Sequence, residues 1–265
     1  MKNGLFYLVT VLIWGSTWLG IKMQLGVVDP MVSVTYRFAL ASMLLLSWCA
    51  VRKMNMRFTL HEHGFMVLQG VLLFGFNYLF FYKAELYITS GLAAVLFSFD
   101  NNGVRGVALC ILATLFASWG NITSARNQKK RLPIIQSNAY GMGYGALIMC
   151  TVAFLSDKTF CVDMSVAYLG SLAYLSLFGS IIAFGCYLSL VGNIGADRAA
   201  YSTLLFPLVA LAISTIWEGY EWSAASISGV FFIISGNFFI IARKKLAQRN
   251  SPVLNSKIAI SGETV

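Results

Sequence analysis

Residues 97–109 read FSFDNNGVRGVAL, and in this stretch an apolar segment gives way to a polar cluster. The segment 88–98 has the composition of a membrane helix, and the polar residues 100–102 follow it closely. Its eleven residues would cover about 16 Å as a helix, roughly half of a hydrocarbon core of about 30 Å. The segment therefore predicts a re-entrant or half-span helix whose polar end lies near the outer interface or lines a water-filled cavity. The alternative is that 86–124 forms a single broken span.

Most of the remaining chain is apolar. The 265 residues are 58% hydrophobic and 11% charged, whereas a soluble domain carries about 25% charged residues. Blocks of about twenty apolar residues recur, and this is the length that a helix needs to span a bilayer. The spans that these blocks predict are 4–22, 31–51, 64–82, 106–124, 138–156, 166–191, 198–217 and 223–242. The sequence therefore predicts an all-α polytopic membrane protein with about eight full transmembrane helices plus the half-span segment.

The positive charge of the chain follows the pattern of membrane topology. The formal net charge is +9 at pH 7, and the basic residues lie in short runs between the apolar blocks, at 52–57, 126–131 and 243–257. Loops rich in Lys and Arg remain on the cytoplasmic side of a membrane. We therefore expect both termini to lie in the cytoplasm, and we expect the lipid bilayer, and no nucleic acid, to be the partner of the basic surface.

No pattern of an enzyme or a metal site is present in the sequence. The five cysteines show no CxxC spacing, and His61 and His63 lie in a loop without further ligands. The predicted spans contain no His, and no Ser/His/Asp arrangement, HExxH motif or phosphate-binding loop occurs. We therefore expect no enzyme activity, no catalytic residue, no cofactor and no metal.

An internal repeat with an offset of 105 positions relates the two halves of the chain. The dipeptide WG at 14–15 recurs at 119–120, and Tyr82 recurs as Tyr187 at the same offset. Self-similarity in a constant register over about 90 residues indicates duplication of one helical unit.

The first copy of the repeat is shorter than the second. After Thr203 the second copy continues for about 40 residues, whereas the first copy has only about ten residues after Ser98 before the second begins. The first copy therefore lacks roughly one and a half helices. The predicted domains are a first repeat at 1–103, truncated after Ser98, a second repeat at 104–245 and a cytoplasmic tail at 246–265 that is expected to be disordered.

Four motifs, taken in order, resemble one family of membrane transporters. They are WGSTW at 14–18, YRFALA at 36–41, AELYITSGLAAVLFS at 84–98 and NIGADRAAYSTLLFPLVALAISTIWEGYEWSAASISGVFFIISG at 193–236. Together they are similar to the EamA-type branch of the drug/metabolite transporter superfamily. This resemblance implies two five-helix inverted repeats, with both termini cytoplasmic and a central cavity enclosed by both repeats; here the first repeat is incomplete.

The resemblance implies a secondary transporter of the bacterial cell inner membrane that exports small metabolites such as amino acids. The mechanism would be alternating access around a site near the bilayer midplane. The shortened first repeat leaves an alternative open, in which the chain is truncated and transport-inactive, or depends on a partner. A homodimer is one way to seal the resulting gap.

Arg37 is the ionisable residue that lies deepest within a predicted span. It is about seven residues into the second span, and ionisable groups inside a membrane are costly and often functional. The resemblance includes an Arg at this place, which favours an anion-binding or gating role. The alternative is that the side chain extends to the outer headgroups.

Polar and aromatic side chains within the spans are further candidates for substrate binding. A small-molecule pocket needs aromatic walls with a few polar groups, although aromatic residues in helices also serve packing. The candidates, besides Arg37, are Trp14, Asn77, Tyr82, Trp119, Asn121, Tyr187 and Tyr201.

Two residues are candidates for gating or coupling. Glu218 stands at the outer end of a helix, and its position there favours a solvated loop acid over a gating or ion-coupling carboxylate. Pro207 interrupts the hydrogen bonding of a predicted helix, and it marks either a hinge near the binding site or a static kink.

Overall fold

The computed structural model of the protein describes residues 2–87 and 101–217, and beyond these only positions 222, 224, 227–231 and 234–235. Seven of the described helices are long and apolar enough to cross a membrane. Numbered span 1 to span 7 in chain order, they are Lys2–Lys22, Pro30–Val51, Leu60–Glu85, Gly103–Lys129, Ile134–Leu155, Val166–Ile194 and Ala196–Trp217. The all-α polytopic fold class is thereby confirmed.

Some predicted elements fall outside the described residues. These are the half-span segment 88–98, Glu218, the tail 246–265 and most of the span 223–242. The chain divides into one compact unit at Met1–Glu221 and a second at Trp222–Val265. In the second unit the described positions 224, 227–231 and 234–235 are helical.

Local capping signals set where several spans begin. Asp29 precedes span 2, and its carboxylate accepts a hydrogen bond from Met31 N–H at 2.8 Å, while Pro30 occupies the first helical turn. Thr59 precedes span 3 and forms a capping box with Glu62, in which each side chain bonds the backbone of the other residue. Span 3 therefore starts at Leu60, four residues before the apolar block that predicted it.

Two spans are not α-helical throughout. Span 3 consists of the α-helix Leu60–Gln69, a π-helical segment at Gly70–Phe76 and the α-helix Asn77–Glu85. Span 6 consists of the α-helix Val166–Tyr174, a π-helical segment at Leu175–Ile182 and the α-helix Ala183–Ile194. We call these the first and second π segments; they begin 105 positions apart, the same offset as in the predicted repeat.

The other long helices contain no π segment within the residues that the structure describes. Span 4 is part of the α-helix Asn101–Lys129, so the polar residues 101 and 102 begin this helix and do not lie in a loop. Span 7 contains a short α-helix Ala196–Ala200, a 3₁₀ segment Tyr201–Leu205 and the α-helix Phe206–Trp217. Spans 1, 2 and 5 are single α-helices.

Buried polar groups and close backbone contacts fasten spans 3, 4 and 5 together. Gln69 donates to the side chain of Asn138 at 3.2 Å and accepts from that of Asn127 at 3.0 Å, and all three side chains are buried. At Gly70 the backbone of span 3 approaches Gly141 of span 5 so closely that an added Cβ atom would collide with its carbonyl oxygen. Small residues and interhelical hydrogen bonds are the usual fasteners of membrane helices, since lipid supplies no hydrophobic drive between them.

Candidate functional site

A cavity of about 280 Å³ lies among spans 1, 3, 4, 6 and 7. Its aromatic walls are Trp14, Trp18, Tyr78, Phe81, Phe184, Tyr187 and Phe206. Its other polar groups are Thr17, Asn77, Thr114, Asn121 and Thr203. No charged side chain lines it among residues 2–87 and 101–217. This combination of apolar walls with a few placed polar groups is typical of a small-molecule site.

Trp14 of span 1 is the centre of the aromatic wall. Its ring lies 4.7 Å from Phe184, 4.9 Å from Tyr187 and 5.2 Å from Phe206, measured between ring centroids. Its indole Nε1–H donates to the backbone carbonyl of Gly179 at 3.0 Å. Trp14 therefore connects the cavity wall to the backbone of span 6.

Two asparagine amides supply the cavity with acceptors. Asn77 Nδ2 donates to the carbonyl of Leu73 at 3.1 Å, and Asn121 Nδ2 donates to the Tyr187 hydroxyl at 3.1 Å. The Oδ1 atoms of both asparagines are buried and have no hydrogen-bond partner within the part of the chain that the structure describes. Both asparagines line the cavity, so a rotation of either amide would present an acceptor to a ligand there.

Arg37 lies behind the cavity wall, inside the helix bundle. Its side chain is 0% exposed, and its guanidinium carbon is 4.4 Å from the centroid of the Tyr78 ring, which does line the cavity. Nε donates to Ser180 Oγ at 3.0 Å, and the Arg37 carbonyl accepts from Ser176 Oγ at 3.1 Å. Nη1 and Nη2 make no hydrogen bond of good geometry among the described residues, although the hydroxyl groups of Tyr78 and Tyr82 interact with the guanidinium. A buried charge that no carboxylate pairs in this region raises the electrostatic potential around it.

The structure places the other candidates in different surroundings. Tyr187 and Pro207 line the cavity, as do Trp14, Asn77 and Asn121. Tyr82 is fully buried outside it, Trp119 is 52% exposed, and Tyr201 is 38% exposed. Glu218 is outside the described residues.

Pro207 lies in the first turn of the α-helix Phe206–Trp217. The sequence predicts a mid-helix position, and Pro207 does lie midway along span 7, just after the 3₁₀ segment Tyr201–Leu205. The N–H of Phe206 bonds to the carbonyl of Thr203, so the helix changes from the 3₁₀ to the α pattern directly before the proline. Pro207 lines the cavity at this change of helix type.

The residues that sequence reasoning left out of the site include several aromatic ones. Trp18, Phe81, Phe184 and Phe206 line the cavity, yet each lies in a span that is apolar on every side. The repeat offset of 105 positions does not reveal that these residues line the cavity, because their neighbours across the cavity belong to other spans. The pairing of Trp14 with Phe184 and Phe206 becomes visible only in three dimensions.

Tyr82 gives a stability prediction that is independent of the cavity. Its hydroxyl donates to Gln24 Oε1 at 2.6 Å, and both residues are buried. Tyr82→Phe removes the donor and leaves the Gln24 amide oxygen buried without it, so we expect a loss of about 1–3 kcal/mol in the free energy of unfolding. Thermal unfolding of the purified protein in one detergent measures this loss, and Tyr201→Phe, at a partly exposed site, is the matched control. Equal melting temperatures for the two variants would show that the buried bond contributes nothing.

Fold and site together define a polytopic α-helical membrane protein with an internal aromatic cavity. The chain belongs to the EamA-like transporter family, whose model matches it twice, at residues 2–100 and 104–242. The first match is shorter than the second by about 40 residues.

Curated relatives align over nearly the full length of the chain. Protein PagO of Salmonella typhimurium is 23% identical over 284 aligned positions, which cover 91% of this chain and 93% of PagO. A probable amino-acid metabolite efflux pump of the same organism is 22% identical over 281 positions, covering 89% and 93%. The uncharacterized inner membrane transporter YedA of Escherichia coli K12 is 23% identical over 283 positions, covering 89% and 92%. These relatives are named as transporters or efflux pumps in two of the three cases, and none is named as an enzyme.

A solved protein crystal structure shares the fold. It superposes with a TM-score of 0.66, covers 88% of this chain and 95% of its own, and is 15% identical in sequence.

Proposed function

We propose that the protein is a secondary transporter of the bacterial inner membrane that exports small metabolites, such as amino acids, by alternating access. The observation that carries this proposal is the cavity, because spans 1 and 3 of the first family match and spans 4, 6 and 7 of the second enclose it jointly. A site shared by two repeats is the arrangement in which one repeat can rock against the other around a bound substrate. The printed name of the efflux-pump relative favours an outward direction and an amino-acid-like substrate.

The described side chains suggest how the cavity would hold such a substrate. The Oδ1 atoms of Asn77 and Asn121 would accept hydrogen bonds from its donors, and the rings around Trp14 would cover its apolar part. Arg37 would favour a negative group such as a carboxylate, acting across the Tyr78 ring. Pro207 and Glu218 remain candidates for gating, and a role for Tyr82, Trp119 or Tyr201 would be indirect, through packing or a second conformation.

A second reading is a chain that is inactive by itself or that works with a partner. Each of the three relatives aligns over more positions than the 265 residues of this chain. Some residues of these relatives therefore have no counterpart in this chain when the sequences are aligned. The first family match is also the shorter of the two. A cavity that lacks one and a half helices of its enclosure would be open on one side, and a second copy of the chain is one way to close it.

Export measurements separate these readings. Extracellular amino acids and other metabolites are compared by mass spectrometry between cells with the chain, cells with empty vector and cells with a restored form. The restored form carries, after Ser98, the segment of about 40 residues taken from the efflux-pump relative. We expect the chain as it stands to export at least one metabolite above the vector level. Export by the restored form alone, at equal membrane abundance, would establish the partner-dependent or inactive reading.

Topology is tested separately with reporter fusions. We expect a fusion after Arg131 to report the cytoplasm and a fusion after Asp163 to report the outside, since the basic loop 126–131 is retained inside. Alkaline phosphatase and green fluorescent protein give opposite signals on the two sides, so each site serves as a control for the other. An outside signal at Arg131 would mean that every span has the opposite orientation and that the termini do not lie in the cytoplasm.

A further inference from the structure

Spans 3 and 6 both contain a π segment, and both segments adjoin the cavity. In a π segment an N–H bonds to the carbonyl five residues earlier, and where the α pattern resumes one carbonyl is left without an amide donor. Segments of this kind occur often at functional sites. The question is therefore which groups satisfy the two released carbonyls.

In span 3 the released carbonyl is bonded by a cavity residue. The N–H of Asn77 bonds to the carbonyl of Leu72, which is the last π-type bond of the first segment. The next carbonyl along the chain is that of Leu73, and it accepts the side-chain amide of Asn77 at 3.1 Å. Both Leu73 and Asn77 line the cavity.

In span 6 the released carbonyl is bonded by a residue of another helix. The N–H of Ala183 bonds to the carbonyl of Phe178, which ends the second π segment. The next carbonyl is that of Gly179, and it accepts the indole N–H of Trp14 at 3.0 Å. Trp14 belongs to span 1 and lies at the centre of the cavity wall.

Withdrawal of either donor would leave a buried carbonyl unsatisfied. Inside a membrane protein no lipid group can replace the donor, so such a carbonyl is costly. It regains an amide donor if the helix returns to the α pattern. A change of register by one residue turns the rest of the helix by about 100° and advances it by about 1.5 Å.

The helical segments that would turn carry much of the cavity wall. Residues 77–85 follow the first π segment and include Asn77, Tyr78 and Phe81, while 183–194 follow the second and include Phe184 and Tyr187. A register change in either span therefore remodels the cavity. The two donors stand where a substrate would compete for their hydrogen bonds.

We propose that Trp14 and Asn77 couple substrate binding in the cavity to a change of helical register in spans 3 and 6. A substrate acceptor that takes the Nδ2–H of Asn77 or the indole N–H of Trp14 draws this donor away from the released carbonyl and favours the α register. The proposal rests on the proposed transport function in one respect, namely that a bound substrate is what draws the donor away. The bond between each donor and its π segment is a property of the protein without substrate.

Hydrogen–deuterium exchange of the purified full chain in lipid nanodiscs tests this bond without any substrate. The variants Trp14→Phe and Asn77→Leu replace each side chain by an apolar one that cannot donate a hydrogen bond to the released carbonyl. Their matched controls are Trp18→Phe, which packs on Phe81 in the same cavity, and Asn121→Leu, whose amide bonds a tyrosine hydroxyl and no backbone carbonyl. Peptides covering 70–85, 175–187 and, as a distant reference, 134–155 are compared by mass spectrometry.

We expect each variant to act on its own segment. Trp14→Phe should speed amide exchange in 175–187 by about fivefold or more, because each passage between the π and the α register breaks the amide hydrogen bonds of the segment, and it should leave 70–85 within about twofold. Asn77→Leu should do the reverse. The two controls should leave both segments within about twofold. A smaller effect, an equal effect in the controls, or a rise in 134–155 of the same size would overturn the proposal, because the side chains would then act only as packing. Since no substrate is present, this result stands whether or not the chain exports a metabolite.

Discussion

Replacement of Gly70 by alanine is expected to lower the melting temperature sharply or to prevent the protein from accumulating in folded form. A Cβ atom at Gly70 would collide with the carbonyl oxygen of Gly141 and would lie 3.1 Å from the backbone nitrogen of Gly145. Backbone atoms of a packed helix cannot turn aside as a flexible side chain can, so spans 3 and 5 would have to separate. Overpacking typically costs about 1–3 kcal/mol, and we expect at least the upper end of this range here.

Gly64→Ala is the matched control for this prediction. Gly64 lies in the same helix, and an added Cβ atom would meet nothing within 4 Å. Alanine is favoured over glycine in a helix by up to about 1 kcal/mol, so this variant should keep or raise the melting temperature. Thermal unfolding of both variants in one detergent, read by intrinsic fluorescence, gives the comparison. Similar melting temperatures would mean that spans 3 and 5 are not fastened at Gly70.

Replacement of Arg37 by methionine is expected to abolish transport while the protein remains folded. The guanidinium is fully buried, and no carboxylate pairs with it among the described residues. A buried charge without a counter-charge is costly, so an apolar side chain of similar size is expected to keep the fold stable. The positive potential beside the Tyr78 ring would be lost, and with it the attraction for an anionic group in the cavity. We expect export to fall by about a hundredfold, equivalent to about 2.7 kcal/mol.

Arg52→Met serves as the control for the loss of a cation. Arg52 is exposed at the end of span 2, with its guanidinium carbon 5.5 Å from the Trp48 ring centroid. Its loss should change neither the melting temperature nor the export rate by a measurable amount. Export and thermal unfolding are measured on the same preparations. Unimpaired export by Arg37→Met would show that Arg37 has no role in substrate binding. An unfolded Arg37→Met protein would show that its role is structural.

The positions of the spans could be read from the sequence with small errors. The predicted span 31–51 corresponds to Pro30–Val51, and 198–217 corresponds to Ala196–Trp217. Lipid leaves no other option, since backbone groups in a bilayer must be bonded within complete helical passes of about 20 residues. Larger errors, of up to about five residues, occur at 64–82, 106–124 and 138–156. The early start at Leu60 has a local cause, because the capping box of Thr59 and Glu62 starts the helix before the apolar block.

The candidate site was less accessible to sequence reasoning. Trp14 and Trp119 share the same WG motif, yet Trp14 stands in the cavity wall and Trp119 is 52% exposed. Asn121 does line the cavity, and a residue two positions away on a helix points about 200° around the axis. Trp119 therefore cannot face the same cavity as Asn121. Arg37 could be singled out from the sequence, since a cation in an apolar span is conspicuous. Its position behind the Tyr78 ring could not be predicted in the same way.

From the sequence alone it follows that this protein is a helical membrane protein, where each described span lies to within about five residues, and that a polar cluster follows residue 98. The inward-facing side of each span and the change of two spans to a π register are visible in three dimensions only. The sequence lacks this information because lipid is as apolar as the interior of the bundle. A side chain that faces lipid and one that faces the cavity can then be the same residue type, and the pattern that separates inside from outside in a water-soluble protein is absent.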